Sequence, residues 1–412
     1  MLIDCDIWDI FKPGPNWESL PLVLVSEVLR YLPTLNDLRA VVTASPNAKA
    51  AYDDDKRRVL LDIMTRQFGT EVMLSMYFHA KAAQFRASSR DVGGDNGVAE
   101  AFLTLAGYGV RNKKTVLRSC TLEDVIRMQQ SYIHVVRLAA TRIFAGFLRE
   151  LPLDHRPTVI EERRILCALY RLDIWAMMFS EDYEDSRDDP RTRRMRPARI
   201  LHLFFGLFHP WEAESVACVH EYLASYYNKV FWRIKLAPLL AECEDNEGVI
   251  VRWASTDCEY TESRRWYPSE DYIACNLWKQ KMIRMGLRRF TALLSGDLKP
   301  LNVLDFADAG APLDETFGKQ TFRKIRFPDI RDRWEKTEQA MEFKGDAEDL
   351  PPLGWVALWD QRWSMSWGPA TPDFVRAKGY TFWDATTLVD SGLLPYLQNM
   401  RVFRIPDVEQ TW

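Results

Sequence analysis

WESLPLVLVSEVLRYLPTLNDLRAVVTASP, residues Trp17 to Pro46, carries more apolar side chains than two short helices can hide between them. At 100° per residue, Leu20, Pro21, Leu24, Val25, Val28, Leu29 and Leu32 fall within about half of one helix circumference. A helix in so small a unit needs only an inward stripe. Part of this arc is therefore left for another surface, of this chain or of a separate protein. Proline fits the first turn at Pro21, where its missing N–H would lack a partner anyway, and Pro33 stops the helix. Thr34 with Asp37 reads as a capping box for a second helix whose stripe is Leu35, Leu38, Val41 and Val42. Ser45 and Pro46 restart the chain as N-cap and first helical residue. The third helix then runs through Tyr52 to Val59, Leu60, Ile63, Met64 and Phe68, and Gly69 ends it. Within it, Asp53 with Arg57 and Asp54 with Arg58 are spaced as i,i+4 pairs on a solvated face.

The residues Leu20-Pro21, Val28-Leu29, Leu32, Leu35 and Leu38 resemble the pattern of an F-box. An F-box is a three-helix module that docks the Skp-type adaptor of cullin-based ubiquitin ligases. Many F-boxes end in a Val-Cys-Lys-x-Trp-like segment. Here the equivalent is Val42-Thr43-Ala44-Ser45-Pro46 with Tyr52 the nearest aromatic, which is similar to the fungal branch of the family. The resemblance implies that Leu20, Pro21, Leu24, Val28, Leu35 and Leu38 include the surface that meets the adaptor and, through it, a cullin. Later phrases, HPWEAESVACVHEYL from His209, WVALWDQRWSMSWG from Trp355 and GYTFWD from Gly379, are similar to segments of large fungal F-box proteins. They point to kin without pointing to a client.

A chain of 412 residues exceeds one small core. The expected organisation is an extension over 1–16, the F-box-like module over 17–68, an α-helical domain over 69–350, and a Trp-rich segment over 351–412 that packs on it. With 54 Lys and Arg against 58 Asp and Glu, the formal charge is -4, so no global basic field attracts phosphate and nucleic acid is not an expected partner. The seven cysteines are scattered and form no C-x-x-C pair, which suits buried thiols in a reducing compartment rather than disulfides or zinc. The start, MLIDCDIWDIF, is acidic where a signal peptide is basic, and every longer apolar run is interrupted by Arg, Lys or His. A soluble protein of the cytoplasm or nucleus, with no membrane partner, is expected.

Helix signals dominate beyond the module. Thr70 can cap Glu71 to Phe85, and Ala87 to Gly97 has a loop composition without the spacing or the lysine of a phosphate loop. Thr121 with Asp124 caps a segment to about Glu150, and Thr158 with Glu161 another to about Ser180; the two are expected to pair antiparallel. The first carries Val125, Met128, Tyr132, Val135, Val136, Ala139, Ile143 and Phe147 at helical spacing, a bundle core. Glu181 to Arg199 is acid first and arginine second, a solvated loop by default and otherwise a nuclear-import or RNA contact. From Pro210 a further helix buries Val216, Val219, Leu223, Tyr226, Val230 and Ile234. Pro351-Pro352 marks a boundary before the tail.

Trp355, Trp359, Trp363 and Trp367 recur every four residues and read as core-closing indoles. Trp359-Asp360 and Trp383-Asp384 lie too close together for propeller blades, and no period supports a repeat array. His209, Glu214, Cys218 and His220 are the nearest approach to a chemical cluster, but Cys218 and His220 at i,i+2 point to different sides of a helix. No G-x-S-x-G, H-E-x-x-H or Gly-rich dinucleotide turn appears. The reading is a mostly α-helical, non-catalytic receptor that needs no cofactor. It docks an adaptor at its amino-terminal module and presents an unidentified protein client on its helical domain. A helical scaffold outside any ligase and an enzyme without a recognisable motif are the two rival classes.

Overall fold

Local chemistry starts each of the first helices where it should. Helix α1 (Leu22–Arg30) follows Pro21, whose carbonyl accepts the N–H groups of Leu24 and Val25 at 2.9 and 3.1 Å. Thr34 caps α2 (Leu35–Ala44) by accepting the Asp37 N–H at 3.2 Å. Ser45 caps α3 (Pro46–Asp54) by accepting the Ala48 N–H at 3.0 Å. These elements belong to a computed structural model that describes residues 17–89, 95–149, 151, 155–179, 203–241, 269–296, 342–359 and 373–400. Helices hold 82% of the described residues and strands none, so the mostly α fold expected from the sequence is the one adopted. Among the described residues no helix is long and apolar enough to cross a membrane.

The third helix expected over Pro46 to Phe68 is two helices. The chain breaks at Asp55, and α4 (Lys56–Ser89) begins afresh. Asp53 and Asp54 therefore share no helix with Arg57 and Arg58. Two further helices follow, α5 (Asp95–Arg111) and α6 (Lys113–Ser119). Arg57 donates to the carbonyls of Arg118 and Cys120, both at 2.5 Å, and so closes the carboxy-terminal end of α6. Helix occupies most of the expected Ala87 to Gly97 loop, and 90–94 lie outside the described residues.

Gly69, with φ 79° and ψ 171°, is non-helical and ends the first half of α4, as expected from the sequence; a second helical half runs on from it across the kink. The first half buries Val59, Leu60, Ile63, Met64 and Phe68 and holds the module together through polar side chains. Arg66 donates to the carbonyls of Arg30 and Leu32 at 2.8 and 2.7 Å, and Gln67 accepts the Leu35 N–H at 3.0 Å. These bonds satisfy helix-end groups that would otherwise lack partners.

Helix α7 (Leu122–Ser131) passes through a π turn (Tyr132–Val136) into α8 (Arg137–Arg149), burying Val125, Met128, Val136, Ala139, Ile143 and Phe147 and half-burying Tyr132 and Val135. Helix α9 (Val159–Phe179) is buried at every position from Ile165 to Ala176. Its main partner is α4, with the next helix, α10 (Pro210–Ala241), second; α8 touches it less. The expected antiparallel pairing with α8 is corrected accordingly: a helix covered on all sides has several neighbours, and spacing reveals faces, not partners.

Helices α11 (Ser269–Arg284) and α12 (Gly286–Leu294) pack on α10 and α9. Val216, Val219 and Leu223 of α10 are buried and Tyr226 and Val230 half-buried, while the Ile234 side chain lies outside the description. The tail forms α13 (Leu353–Trp359), α14 (Asp373–Arg376), α15 (Ala385–Asp390) and α16 (Leu393–Met400). Trp355 is buried edge-on to Trp211 at 5.7 Å, and Tyr380, Phe382 and Trp383 are fully buried. Trp363, Trp367, the Trp359 side chain and the charged run 181–199 lie outside the described residues. Pro351 and Pro352 are buried. One core cluster of buried side chains runs from Val25 to Leu397.

At the start of α7, Asp124 is buried in a capping box with Thr121 and accepts the Lys81 ammonium at 2.6 Å. Burial alone would push this carboxyl up, but Lys81 and Thr121 outweigh it and hold it below its ordinary value. The carboxylate form is thus favoured by folding. Its contribution is complete above about pH 4 and is lost as pH falls through the depressed value. In Lys81→Met the cation is gone and only the Thr121 bonds still oppose burial, so the carboxyl rises from its depressed value. Urea midpoints of wild type and variant should therefore differ most at neutral pH and converge below about pH 4.

Candidate functional site

The stretch before α1 is pinned to α3, and this fixes which way α1 faces. The Trp17 indole donates to the Ser45 hydroxyl at 3.0 Å, and that hydroxyl donates to Glu18 at 2.6 Å. The Asn47 amide donates to the carbonyls of Trp17 and Leu20 at 2.9 and 3.0 Å. Arg30 on α1 reaches Asp62 on α4 at 2.5 Å, and Arg66 lies over the Tyr31 ring at 5.6 Å.

Held this way, α1 turns Val25, Ser26 and Leu29 inward. Outward it shows Val23, Leu24, Val28 and Tyr31, which are 70%, 53%, 46% and 75% exposed. Leu24, Val28 and Tyr31 are spaced i, i+4, i+7, so they form one continuous apolar strip. Of the residues expected to meet a partner, Pro21, Leu24 and Val28 lie on this exposed side. Leu20 and Leu35 are half-buried against the core at its margin. Leu38 is only 4% exposed and is corrected to a core residue, because α2 is amphipathic and Leu38 sits on its inward face. Val25 and Leu29, part of the expected arc, are likewise core. Val23 and Tyr31 are additions, and Tyr31 was legible as the next step of the Leu24, Val28 series.

The other cluster singled out, His209, Glu214, Cys218 and His220, does not converge. His209 stacks on Trp211 at 4.4 Å between ring centroids, whereas Glu214 accepts from Nε and one Nη of Arg376 at 2.8 and 3.0 Å. Cys218 accepts the Thr381 hydroxyl at 3.6 Å, and burial pushes its thiol well up, which disfavours the thiolate. Among the described residues no three His, Cys, Asp or Glu side chains could hold a metal ion.

A second polar group, not visible in the spacing, joins Ser131, His79 and Asp173 from three helices. Ser131 lies 3.2 Å from His79 Nδ1, and His79 Nε2 lies 2.7 Å from Asp173, which also accepts the Leu287 N–H at 2.6 Å. His79 and Asp173 are buried, so this network ties α4, α7, α9 and α12 together inside the protein. A small, partly open cleft lies between Arg163, Arg171, Glu212 and Pro352. Its charged side chains are all paired, Arg163 with Glu348, Arg164 with Asp346, Arg171 with Glu212 and Glu71 with Lys113. Compared with protein-family models, curated proteins and solved structures, the chain finds no match in any of the three.

Proposed function

We propose that this protein is an F-box-type substrate receptor, which docks a Skp-type adaptor on the outer face of α1 and holds a client on its helical body. The observation that carries the reading is the apolar strip Leu24, Val28, Tyr31, with Val23 beside it, left exposed by a helix whose inner residues are already satisfied. Such a receptor works by raising the local concentration of the client beside a ubiquitin-carrying enzyme, and it needs no chemistry of its own.

The test is co-purification of the full chain with a Skp-type adaptor. Wild type should retain it, and Val28→Asp should weaken retention by roughly 30-fold or more, as for a central interface residue. Because Val28 is exposed, its unfolding free energy should stay within about 0.5 kcal/mol of wild type. If wild type fails to hold the adaptor, or the aspartate variant holds it equally, the scaffold reading takes its place.

A further inference from the structure

The amino-terminal face accounts for an adaptor, not for a client, and the charge distribution singles out a second surface. The chain is formally -4, yet Tyr132 to Arg149 contains no Asp or Glu while carrying His134, Arg137, Arg142 and Arg149. Two of the helices packed on this stretch continue the pattern, since residues 222–241 of α10 and 286–294 of α12 carry no carboxylate side chain; α7 and α9, which also pack on it, bring Glu123, Asp124, Glu161, Glu162 and Asp173. On α8, Arg137, Leu138, Arg142 and Arg149 fall within about 140° of arc, opposite the buried Ala139, Ala140, Ile143 and Phe147. Arg137 and Arg149 are exposed, as are Arg288 on α12 and Arg233 on α10.

The edge of this face is firmly built. Gly146 lets the Tyr222 ring lie directly on α8, since a Cβ there would fall 2.1 Å from the ring, and the Tyr222 hydroxyl donates to the Arg142 carbonyl at 3.2 Å. Arg142 lies over the Tyr226 ring at 5.7 Å. Exposed Ile133 and Leu138 are interspersed among the cations.

We propose that this α8 face binds an acidic polypeptide segment of a partner protein, and that in the receptor reading, on which the word client rests, this segment belongs to the client. Guanidinium groups pair with carboxylates in a planar, two-bond fork, and Leu138 and Ile133 add apolar contact that a peptide can match. Nucleic acid is the poorer fit. Bases bind by stacking on free aromatic faces, and the Tyr222 and Tyr226 rings are committed to Gly146, Phe147, Arg142 and Phe290.

The experiment uses the full chain and a fluorescein-labelled peptide of Glu-Glu-Leu-Ser repeats, with a Gln-Gln-Leu-Ser peptide and a single-stranded RNA of similar length as comparisons. Anisotropy should saturate with the acidic peptide alone, and added salt should weaken the binding. Arg137→Glu with Arg149→Glu should weaken it by about tenfold or more, with the corresponding glutamine pair intermediate and read in its place if the glutamate pair does not fold. Absence of acidic-peptide binding, equal binding of the glutamine peptide, tighter binding of the RNA, or no response to either arginine pair overturns the proposal. Val28→Asp should leave peptide binding intact and the arginine variants should keep the adaptor. A chain that binds the peptide but no adaptor retains this site and loses the receptor reading.

Discussion

Arg376→Met is expected to destabilise the protein by about 3–5 kcal/mol, the range for stripping one partner from a buried ion pair. Arg376 and Glu214 are only 5% and 4% exposed, and both Glu214 oxygens are engaged by the same guanidinium. With methionine in place, the Tyr380 hydroxyl at 3.2 Å is the donor left to the carboxylate among its described bonds. The pair sits where α10 meets α14, so the cost should appear locally as well as globally. Urea denaturation should show a lowered midpoint, and trypsin should cut after Lys378 at concentrations that leave wild type intact. The double variant Glu214→Leu with Arg376→Met should recover most of the loss, because replacing both partners with apolar groups leaves no orphaned charge. A single variant as stable as wild type would mean that water reaches this carboxylate.

This pair also shows where sequence reading stops. Thr34, Ser45, Thr121 and Thr158 were legible as caps because a cap is made within one turn of the residue that makes it. The apolar excess of Trp17 to Pro46 was legible too, but its division into inside and outside was not. Leu22, Val23, Leu24 and Val25 are all apolar, so a wheel offers no contrast between faces, and the latch of Glu18, Ser45 and Asn47 decides the rotation. The DDDKRR run looked helical throughout because its charges satisfy i,i+4 spacing. The break at Asp55 instead frees Arg57 for a helix end some sixty residues on.

Contacts between distant parts were out of reach for the same reason. Glu161 was read correctly as a capping partner for Thr158, yet its carboxylate also accepts the Asp384 N–H at 3.0 Å and the Thr387 hydroxyl at 2.7 Å. One local motif thereby fastens the tail to the start of α9. Nothing in the spacing of either segment announces the other.

Gly69→Ala is expected to cost about 1–3 kcal/mol from backbone conformation alone, since φ 79° with ψ 171° is a region that essentially only glycine occupies. Space adds to that cost. A Cβ at this position would fall 2.4 Å from a Glu348 carboxylate oxygen, so Glu348 must shift. Glu348 pairs with Arg163, which also donates to the Arg66 carbonyl at 3.1 Å and the Gln67 carbonyl at 3.4 Å, closing the first half of α4. Adding Glu348→Ala to Gly69→Ala should relieve the collision and leave the backbone strain, so the double variant should regain only part of the midpoint. Full recovery would show that the collision alone was responsible; none would show that the strain was. The kink joins the α1 to α3 unit to the rest of the chain, and the strip Leu24, Val28, Tyr31 is not part of it. In the proposed receptor role, adaptor retention by the folded fraction of Gly69→Ala should therefore match wild type even as the unfolding midpoint drops.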